Sequence, residues 1–290
     1  MPDWTNIIKQ LNHHTGKAEA MESSKIVGGG SINSAYSLRM SSGQEYFVKC
    51  NSMKYEDMFA AEYEALIEFQ KVTSLNIPKP FCYGSSKTEC FLIMDFIHLN
   101  GHGDSFQLGR NLAKMHRIET GQFGWSRNNT IGSTPQSNTW HDNWVAFWRE
   151  ERLLPQFEML YQRGHKNQFQ ANAERLIAQL EDFFAYHNPS PSLLHGDLWS
   201  GNYAFDDKGQ GVIFDPALYY GDREADLAMT ELFGGFSPDF YSGYKEEFPL
   251  ADGYNKRKSM YNLYHLLNHS NLFGGSYLTQ ADQTLRQLIK

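Results

Sequence analysis

The sequence predicts an α+β fold in which a small β-rich N-terminal lobe, residues 1–97, precedes a larger, mostly helical lobe, residues 98–290. Short β-friendly segments joined by glycine-bearing turns dominate the first of these stretches. Apolar residues at helical spacing dominate after about Ile97. The 290 residues are enough for two domains or for one unit with two lobes.

The N-terminal lobe is predicted to begin as a set of strands. Residues 25–27 lead into a glycine-rich turn, and residues 35–40 and 45–49 continue in an extended pattern. Residues 55–72 place their apolar side chains on one face and therefore predict a helix. A short buried strand, residues 90–96, ends this lobe.

The C-terminal lobe is predicted to be helical. Asp104 or Ser105 is positioned to cap a helix that carries Leu108, Leu112 and Met115. Two short extended pieces, joined by a glycine-bearing turn, interrupt the helices at residues 203–206 and 212–215. Further helices are predicted at residues 142–162, 170–187, 222–233, 256–272 and 279–288.

Composition narrows the class of protein. A formal net charge of −7 with scattered basic residues argues against nucleic-acid and anionic-membrane partners. The three cysteines lack the spacing of a zinc site or a disulfide framework and fit a reducing compartment. The first residues show no secretory signal pattern, and the longest apolar run is too short to span a bilayer. We therefore expect a cytoplasmic protein.

The strongest local signal is the stretch His195-Gly196-Asp197-Leu198-Trp199-Ser200-Gly201-Asn202, followed by Asp215 at the end of a short strand. His195, Asp197 and Asn202 reproduce the spacing of a kinase catalytic loop, with glycine where arginine usually stands. Phosphoryl transfer needs one carboxylate to accept the proton of an attacking hydroxyl. It also needs oxygen ligands that hold Mg²⁺ against the phosphates. Aspartate and asparagine are common turn residues, so the prediction depends on the joint pattern.

Residues upstream of this loop fit the nucleotide-binding parts of a kinase in chain order. A glycine-rich turn between two strands can cradle phosphate oxygens with backbone N–H groups. Lys49 ends the next strand, where its ammonium group can neutralise phosphates. Glu62 on the following helix is its predicted ion-pair partner, with Glu64 as the alternative. The residues assigned to this turn are Gly29, Gly30, Ser31, Asn33 and Ser34.

A nucleotide base is expected at the end of the N-terminal lobe. Met94, Asp95 and Phe96 close its last predicted strand at the place where a hinge should lie. Backbone groups there could hydrogen-bond the edge of an adenine ring.

Two other patterns have simpler interpretations. His265 and His269 have the i, i+4 spacing of a metal pair but lack a third ligand, so packing is the favoured role. An aromatic group is similarly interpreted as core packing rather than substrate contact; its members are Trp140, Trp144, Phe147 and Trp148.

The chain resembles the fructosamine (ketosamine) 3-kinases, a family of protein-kinase-like fold, from about residue 20 to its C-terminus. The tryptophan of H-G-D-L-W-S-G-N distinguishes this family from choline and aminoglycoside kinases. The resemblance is carried by the glycine-rich turn and by residues 47–49, 58–62, 138–144, 193–202, 214–217, 220–228, 266–269 and 273–275.

The resemblance implies a role for each matching residue. Asp197 is implied to be the proton acceptor, and Asn202 and Asp215 the Mg²⁺ ligands. Trp199 is implied to stack on the sugar-like substrate, and Asp226 to hydrogen-bond the backbone of the catalytic loop. Lys49 and the hinge are implied to contact ATP.

The implied reaction transfers the ATP γ-phosphoryl group to the 3-hydroxyl of a ketosamine, with ribulosamines and erythrulosamines preferred over fructosamines. The substrate is then a small ketosamine or a glycated amine or protein side chain, and the oligomeric state is left open. An alternative is a kinase of another small hydroxyl-bearing amine, such as choline, homoserine or an aminoglycoside. A catalytically dead scaffold is a further alternative, against which stand the intact Lys49, Asp197, Asn202 and Asp215.

Overall fold

The computed structural model describes residues 2–28 and 33–290. The helices in this part of the chain are α1 (Trp4–Thr15), α2 (Glu56–Phe69), α3 (Ser105–Met115), α4 (Trp144–Phe147), α5 (Leu154–Leu160), α6 (Lys166–Ala178), α7 (Glu224–Leu232), α8 (Pro238–Glu247), α9 (Tyr254–Phe273) and α10 (Ser276–Leu288). The strands are β1 (Met21–Val27), β2 (Ser34–Met40), β3 (Glu45–Ser52), β4 (Pro80–Ser85), β5 (Glu89–Asp95), β6 (Asn129–Ile131), β7 (Thr134–Gln136), β8 (Ser192–Leu194), β9 (Tyr203–Phe205), β10 (Gly211–Ile213) and β11 (Tyr219–Gly221). Short 3-10 helices lie at Met53–Tyr55 and Leu180–Phe183.

The chain divides into two compact units. One comprises Met1–Gly103 with Ala204–Pro216, and the other comprises Asp104–Tyr203 with Ala217–Lys290. The boundary predicted after residue 97 thus lies six residues before the one in the structure, and the short segment around β10 groups with the first unit. This segment joins the first unit because it pairs with Asn76, whose backbone N–H donates to the Gly211 carbonyl at 3.0 Å.

The first unit is built on an antiparallel five-stranded sheet of order β1-β2-β3-β5-β4. Alternation along the central strand β3 sends Tyr46, Val48 and Cys50 to one face, where they pack with residues of α1. Phe47 faces the opposite side, in the cluster that contains α2. Because Lys49 shares the parity of Phe47, its side chain is directed to the α2 side of the sheet.

The second unit contains a helical core and three-residue strands. Strand β8 pairs with β11 in the register Leu194↔Tyr219, and β6 pairs with β7. The Asp104 side chain caps α3 by accepting from the Gln107 backbone N–H at 2.9 Å, as one of the two predicted caps requires. Helices α1 and α8 were not predicted, although Asp3 and Ser237 are capping residues at their starts.

The prediction of one continuous helix over residues 142–162 was wrong. Residues 142–162 form α4 and α5 separated by π-helical turns at Trp148–Leu153 and continued by another at Tyr161–His165. Pro155 lies in the first turn of α5 and has no backbone N–H to donate to the preceding turn. The wide turn before it therefore replaces regular α-helical hydrogen bonding.

Helices α3 and α8 approach each other closely through two glycines. A Cβ atom added to Gly109 would lie 2.0 Å from the Phe240 carbonyl oxygen, and one on Gly243 would lie 2.0 Å from that of Phe106. Only residues without a side chain permit this contact between the two backbones. None of the helices in the described residues is long and apolar enough to cross a bilayer.

Candidate active site

Lys49 lies at the centre of a buried ion cluster in the first unit. Its Nζ donates to Glu62 Oε1 at 2.5 Å and to Asp215 Oδ1 at 2.7 Å, and the residue is only 5% exposed. Glu62 is contributed by α2, whereas Asp215 follows β10. The structure therefore pairs Lys49 with Glu62, the preferred of the two predicted partners, and adds Asp215 to the same group.

The charges within this cluster shift the pKa values of Lys49 and Glu62. Burial alone would lower the pKa of the Lys49 ammonium group, but the carboxylates of Asp215 and Glu62 outweigh burial and raise that pKa above its usual value. Burial raises the pKa of the Glu62 carboxyl despite the nearby ammonium, and the charge of Asp215 adds to this effect. Lys49 is thus held fully charged where two carboxylates compete for it.

Asp215 has a left-handed backbone conformation, with φ of 59°. Among the described residues it is the only non-glycine residue with positive φ. Such a conformation is uncommon for residues other than glycine, although aspartate adopts it more readily than most, and it is found at functional turns. The Asp215 side chain is 48% exposed, so its carboxylate is accessible as well as paired with Lys49.

The predicted nucleotide-binding turn is described only in part. Gly29, Gly30 and Ser31 lie outside the described residues. Asn33 accepts a hydrogen bond from Asn51 Nδ2 at 2.7 Å, and Ser34 begins β2 opposite Cys50. These two residues therefore flank the turn and connect it to the strand that carries Lys49.

The predicted hinge is at the end of β5. Met94 is buried and pairs with both neighbouring strands. The backbone N–H of Asp95 is occupied by the Lys79 carbonyl at 2.9 Å, and burial raises the pKa of the Asp95 carboxyl. Phe96 lies beyond the strand and packs near Phe47, with ring centroids 6.4 Å apart.

Asp226 anchors the start of the catalytic loop in the second unit. Its carboxylate accepts from the backbone N–H groups of His195 at 2.7 Å and Gly196 at 2.8 Å, as the resemblance implied. Gly196 has φ of 82°, and a Cβ atom there would lie 2.0 Å from the Ala217 carbonyl oxygen. The loop can therefore turn so tightly only with glycine at this position.

A buried hydrogen-bonded chain supports Asp226 and could not be read from the sequence. His116 Nε2 lies 3.2 Å from the Asp226 carboxylate, while its Nδ1 lies 2.7 Å from the Tyr244 hydroxyl. Arg223 donates to that hydroxyl at 3.1 Å. The tyrosine then donates to Nδ1, and Nε2 carries the proton that is donated to Asp226.

The pKa values agree with this arrangement. Burial lowers the pKa of His116 and keeps the ring neutral. Burial alone would raise the pKa of the Asp226 carboxyl, but the hydrogen bond from His116 and the Gly196 backbone hold it below its usual value. Asp226 is therefore an ionised carboxylate whose charge is satisfied by the loop it supports.

Asp197 and Asn202 are brought together within the catalytic loop. The Asn202 Nδ2 donates to the Asp197 carbonyl at 2.8 Å and to its carboxylate oxygen Oδ2 at 3.3 Å. The backbone N–H of Asp197 in turn donates to His195 Nδ1 at 3.3 Å. His195 is fully buried and so braces the loop from within.

Trp199 presents its ring at the surface of the second unit. The residue is 40% exposed, although it lies only two positions after Asp197. A Cβ atom on Gly201 would lie 2.3 Å from the indole ring, so this glycine allows the ring to lie against the loop. An exposed indole beside a carboxylate can stack on a sugar or a cationic group.

The two histidines with the spacing of a metal pair make other contacts in the structure. His265 is buried, and burial lowers its pKa to about 3, while His269 Nδ1 lies 2.8 Å from the His265 carbonyl oxygen. In the described part of the chain, the side chains of His187, Asp222 and Glu224 lie close enough together to hold a cation. Arg257 already pairs with Glu224 at 2.7 Å there, so we interpret this group as a buried structural ion cluster.

Solved structures show which fold this is. A candidate fructosamine-3-kinase from Haemophilus somnus superposes with a TM-score of 0.90 at 29% identity, covering 99% of this chain and 98% of its own. An ADP-bound aminoglycoside phosphotransferase superposes with a TM-score of 0.66 at 13% identity, covering 98% of both chains. The fold and the residues arranged on it define a kinase of the protein-kinase-like class, as the sequence predicted.

Sequence relatives narrow the class to one family. A profile of the fructosamine kinase family matches residues 3–290. A probable ketoamine kinase from Synechocystis is 42% identical over 290 residues, covering 99% of this chain and 97% of its own. A chloroplastic protein-ribulosamine 3-kinase from Oryza sativa subsp. indica is 41% identical over 289 residues, covering 97% of this chain and 84% of its own. The chain belongs to the fructosamine kinase family, and it is a kinase that phosphorylates a hydroxyl group.

Proposed function

We propose that the protein transfers the γ-phosphoryl group of ATP to the 3-hydroxyl of ketosamines, with ribulosamines and erythrulosamines preferred and fructosamines as further candidates. The observation that carries the proposal is the intact catalytic loop, in which Asn202 holds Asp197 beside the exposed Trp199. Family membership over nearly the whole chain and the ribulosamine kinase relative support the substrate class.

Lys49 is the proposed phosphate ligand. Its ammonium group is charged and fixed by Glu62 and Asp215, so its position does not have to be organised when the nucleotide binds. A preorganised cation neutralises charge that spreads over the phosphoryl oxygens as the transfer proceeds. The flanking turn residues Asn33 and Ser34, and the hinge at residues 94–96, are the remaining proposed ATP contacts.

Asn202 and Asp215 are the proposed ligands of Mg²⁺. Among the described residues, Asn202 Oδ1 and Asp215 Oδ2 have no hydrogen-bond partner, whereas Asn202 Nδ2 and Asp215 Oδ1 are engaged. An amide oxygen and a carboxylate oxygen are the hard donors that Mg²⁺ prefers. When bound there, the ion would neutralise the negative charge of the phosphate groups.

Asp197 is the proposed general base. Its carboxylate would accept the proton of the 3-hydroxyl as that oxygen forms a bond to the γ-phosphorus and the bond to the departing ADP oxygen breaks. The hydrogen bond from Asn202 to Oδ2 fixes the orientation of the carboxylate. Trp199 is proposed to stack on the sugar part of the substrate, which would place its hydroxyl against Asp197.

ADP release with Mg²⁺-ATP tests the proposal against a panel of ribulosamine, erythrulosamine, fructosamine, choline and an aminoglycoside. Turnover confined to the ketosamines is expected and would rank the sugars. Turnover of choline or the aminoglycoside alone would retain the kinase assignment and overturn the substrate class.

A further inference from the structure

Four aromatic rings form a continuous patch at the C-terminal end of α9. We call Phe233, His269, Phe273 and Tyr277 the aromatic wall. The His269 ring is at its centre, with centroids 5.0 Å from Phe233, 5.0 Å from Tyr277 and 5.7 Å from Phe273. These residues come from the end of α7, from α9 and from the start of α10, so the second unit alone assembles the wall.

The aromatic wall faces outward. Phe273 is 61% exposed and Phe233 is 37% exposed. A single exposed ring is ordinary, but contiguous exposed rings are typical of binding surfaces. In the described residues, none of the contacts between a cation and a ring involves these four side chains. The described part of the chain therefore places no positive charge over these ring faces.

The aromatic wall is joined to the catalytic loop. Phe233 is followed by Gly234 and Gly235, and a Cβ atom on Gly235 would lie 2.4 Å from the Ser200 side chain. The Tyr203 hydroxyl donates to the Gly235 carbonyl at 2.9 Å. Ser200 comes directly after Trp199, so the glycine segment that follows Phe233 lies against the loop next to its exposed tryptophan.

Helix α9 makes a second connection to the loop. Burial raises the pKa of the Tyr264 hydroxyl to about 12, and the Asp197 carboxylate adds to this effect. Five residues separate Tyr264 from His269, which is roughly 7.5 Å along a helix. Tyr264 and His269 are therefore separated by about one and a half turns of the same helix.

The hydrogen bonding of His269 defines the chemistry of the wall. Its Nδ1 lies 2.8 Å from the His265 carbonyl oxygen and must therefore carry a proton. Burial lowers the pKa of His269, so the ring is neutral near pH 7 and Nε2 offers a lone pair. Nε2 has no hydrogen-bond partner within the described residues. The wall thus presents ring faces and an acceptor, which together suit an N–H-bearing cation.

A ketosamine carries such a cation close to its reacting hydroxyl. The carbon at position 3 is joined through positions 2 and 1 to a secondary amine, which is protonated at neutral pH. A base that reaches the 3-hydroxyl therefore leaves the amine and its substituent pointing toward a neighbouring surface. Trp199 is proposed to contact the sugar, and the segment that follows Phe233 of the wall meets the loop at Ser200, the residue after Trp199.

We propose that the aromatic wall binds the amine-bearing half of the ketosamine, taking the secondary ammonium group and the alkyl chain attached to it. This inference rests on the proposed function and adds a specificity for the aglycone. The aromatic wall would select substrates in which the amine continues into an alkyl chain, as in a glycated lysine side chain. It disfavours substrates with a carboxylate next to the amine, because the ring faces and Nε2 repel an anion.

Two ribulosamines that differ only in the amine test the inference: one made from Nα-acetyl-lysine amide and one made from glycine. We expect the wild type to prefer the lysine compound. Phe273→Ala should reduce the ratio of the two kcat/KM values about tenfold, the size of one contact between a cation and a ring, mainly through KM of the lysine compound. Because Phe273 is exposed, its truncation should leave the melting temperature nearly unchanged.

Two further variants make the test sharper. Phe233→Ala should shift the ratio in the same direction, and His269→Phe should retain ring contact while losing the acceptor. Tyr186→Ala is the matched control, since Tyr186 is 100% exposed and lies outside the wall. If the ratio of the two kcat/KM values is unchanged in both Phe273→Ala and Phe233→Ala, the wall is not a subsite, while the kinase assignment stands. Failure of the wild type to phosphorylate either compound would overturn the proposed function itself, and the subsite with it.

Discussion

The side-chain amide of Asn202 donates to Asp197 twice, at 2.8 Å to its carbonyl and at 3.3 Å to its carboxylate. One residue therefore orients the carboxylate of the other. Because the amide nitrogen is engaged in this way, the amide oxygen is directed elsewhere and remains available to a cation. A single side chain can thus serve both the proposed base and the proposed metal.

Replacement of the proposed base should separate turnover from binding. Asp197→Asn removes the proton acceptor but retains the shape of the side chain, so kcat should fall by about 10²–10⁴-fold while the Kd for ATP changes little. Steady-state ADP release and nucleotide titration measure the two quantities. Asp207→Asn, the same change in an exposed turn, is the control. Near-native kcat in Asp197→Asn would remove Asp197 from its assigned role.

The effects of replacing Lys49 and Glu62 on kcat/KM should not be additive. Lys49→Met should lower kcat/KM for ATP by about 10²-fold, since both a phosphate ligand and a buried charge are lost. Glu62→Gln should lower it as well, and the double variant should be little worse than Lys49→Met because the glutamate acts through the lysine. Glu64→Gln controls for a charge change on the same helix. Additive losses in the double variant would show that Glu62 acts independently of Lys49.

Loss of the Trp199 side chain should impair turnover of the phosphoryl acceptor rather than the reaction of ATP alone. Trp199→Ala should lower kcat/KM for a ketosamine about tenfold and leave the basal ATPase rate within about twofold. The two rates are measured in the same ADP-release assay, with and without ketosamine. Trp140 is a suitable control because it is 38% exposed, close to the 40% of Trp199. Equal losses in both rates would contradict a contact with the substrate.

Asp226 should stabilise the fold in a pH-dependent way. Asp226→Asn removes the charge that accepts from two loop amides and from His116, at a cost of about 3 kcal/mol of unfolding free energy at pH 7. The pKa of Asp226 is lower in the folded than in the unfolded chain. Its contribution is therefore full above the unfolded value of about 4 and declines as the pH falls further.

Thermal unfolding between pH 2.5 and 7 measures this contribution. The difference in stability between the wild type and Asp226→Asn should be constant above about pH 5 and should narrow below about pH 4. A difference that stays constant throughout this acid range would show that the ionised carboxylate is not the stabilising form.

The glycine contact between α3 and α8 should tolerate no side chain. Alanine favours a helix over glycine by about 1 kcal/mol, but Gly243→Ala places a methyl group against the Phe106 backbone. Overpacking of this kind costs about 1–3 kcal/mol, so we expect net destabilisation by chemical denaturation. Gly121→Ala is the control, since a Cβ there meets nothing within 4 Å. A gain in stability for Gly243→Ala would mean that the two helices can separate at little cost.

Local patterns were sufficient to predict the parts of the site that lie close together in sequence. The alternation of β3 and the helical spacing of α2 place Lys49 and Glu62 in order, and the catalytic loop brings Asp197 near Asn202 within five residues. The position of Asp215 at the end of a short strand, downstream of the catalytic loop, predicts it as a site residue. Its direct contact with Lys49 was not predicted, because those residues are 166 positions apart.

Other features required tertiary structure. His116 meets Asp226 across 110 positions and Tyr244 across 128, and no local spacing indicates either contact. The aromatic wall similarly joins the end of one helix to the start of another. Pro155 did give a local signal that residues 142–162 are not one regular helix, but apolar spacing through that stretch concealed it.

The composition of the first unit from two separate stretches of sequence limits how this protein can be divided. A gene truncated after codon 103 would encode a fragment without residues 204–216. That fragment would lack the strand segment that pairs with Asn76 and the carboxylate that shares Lys49 with Glu62. Such a unit cannot be gained, lost or exchanged as a simple terminal module. An exchange of the first unit between two such kinases would therefore have to carry both stretches, residues 1–103 and 204–216.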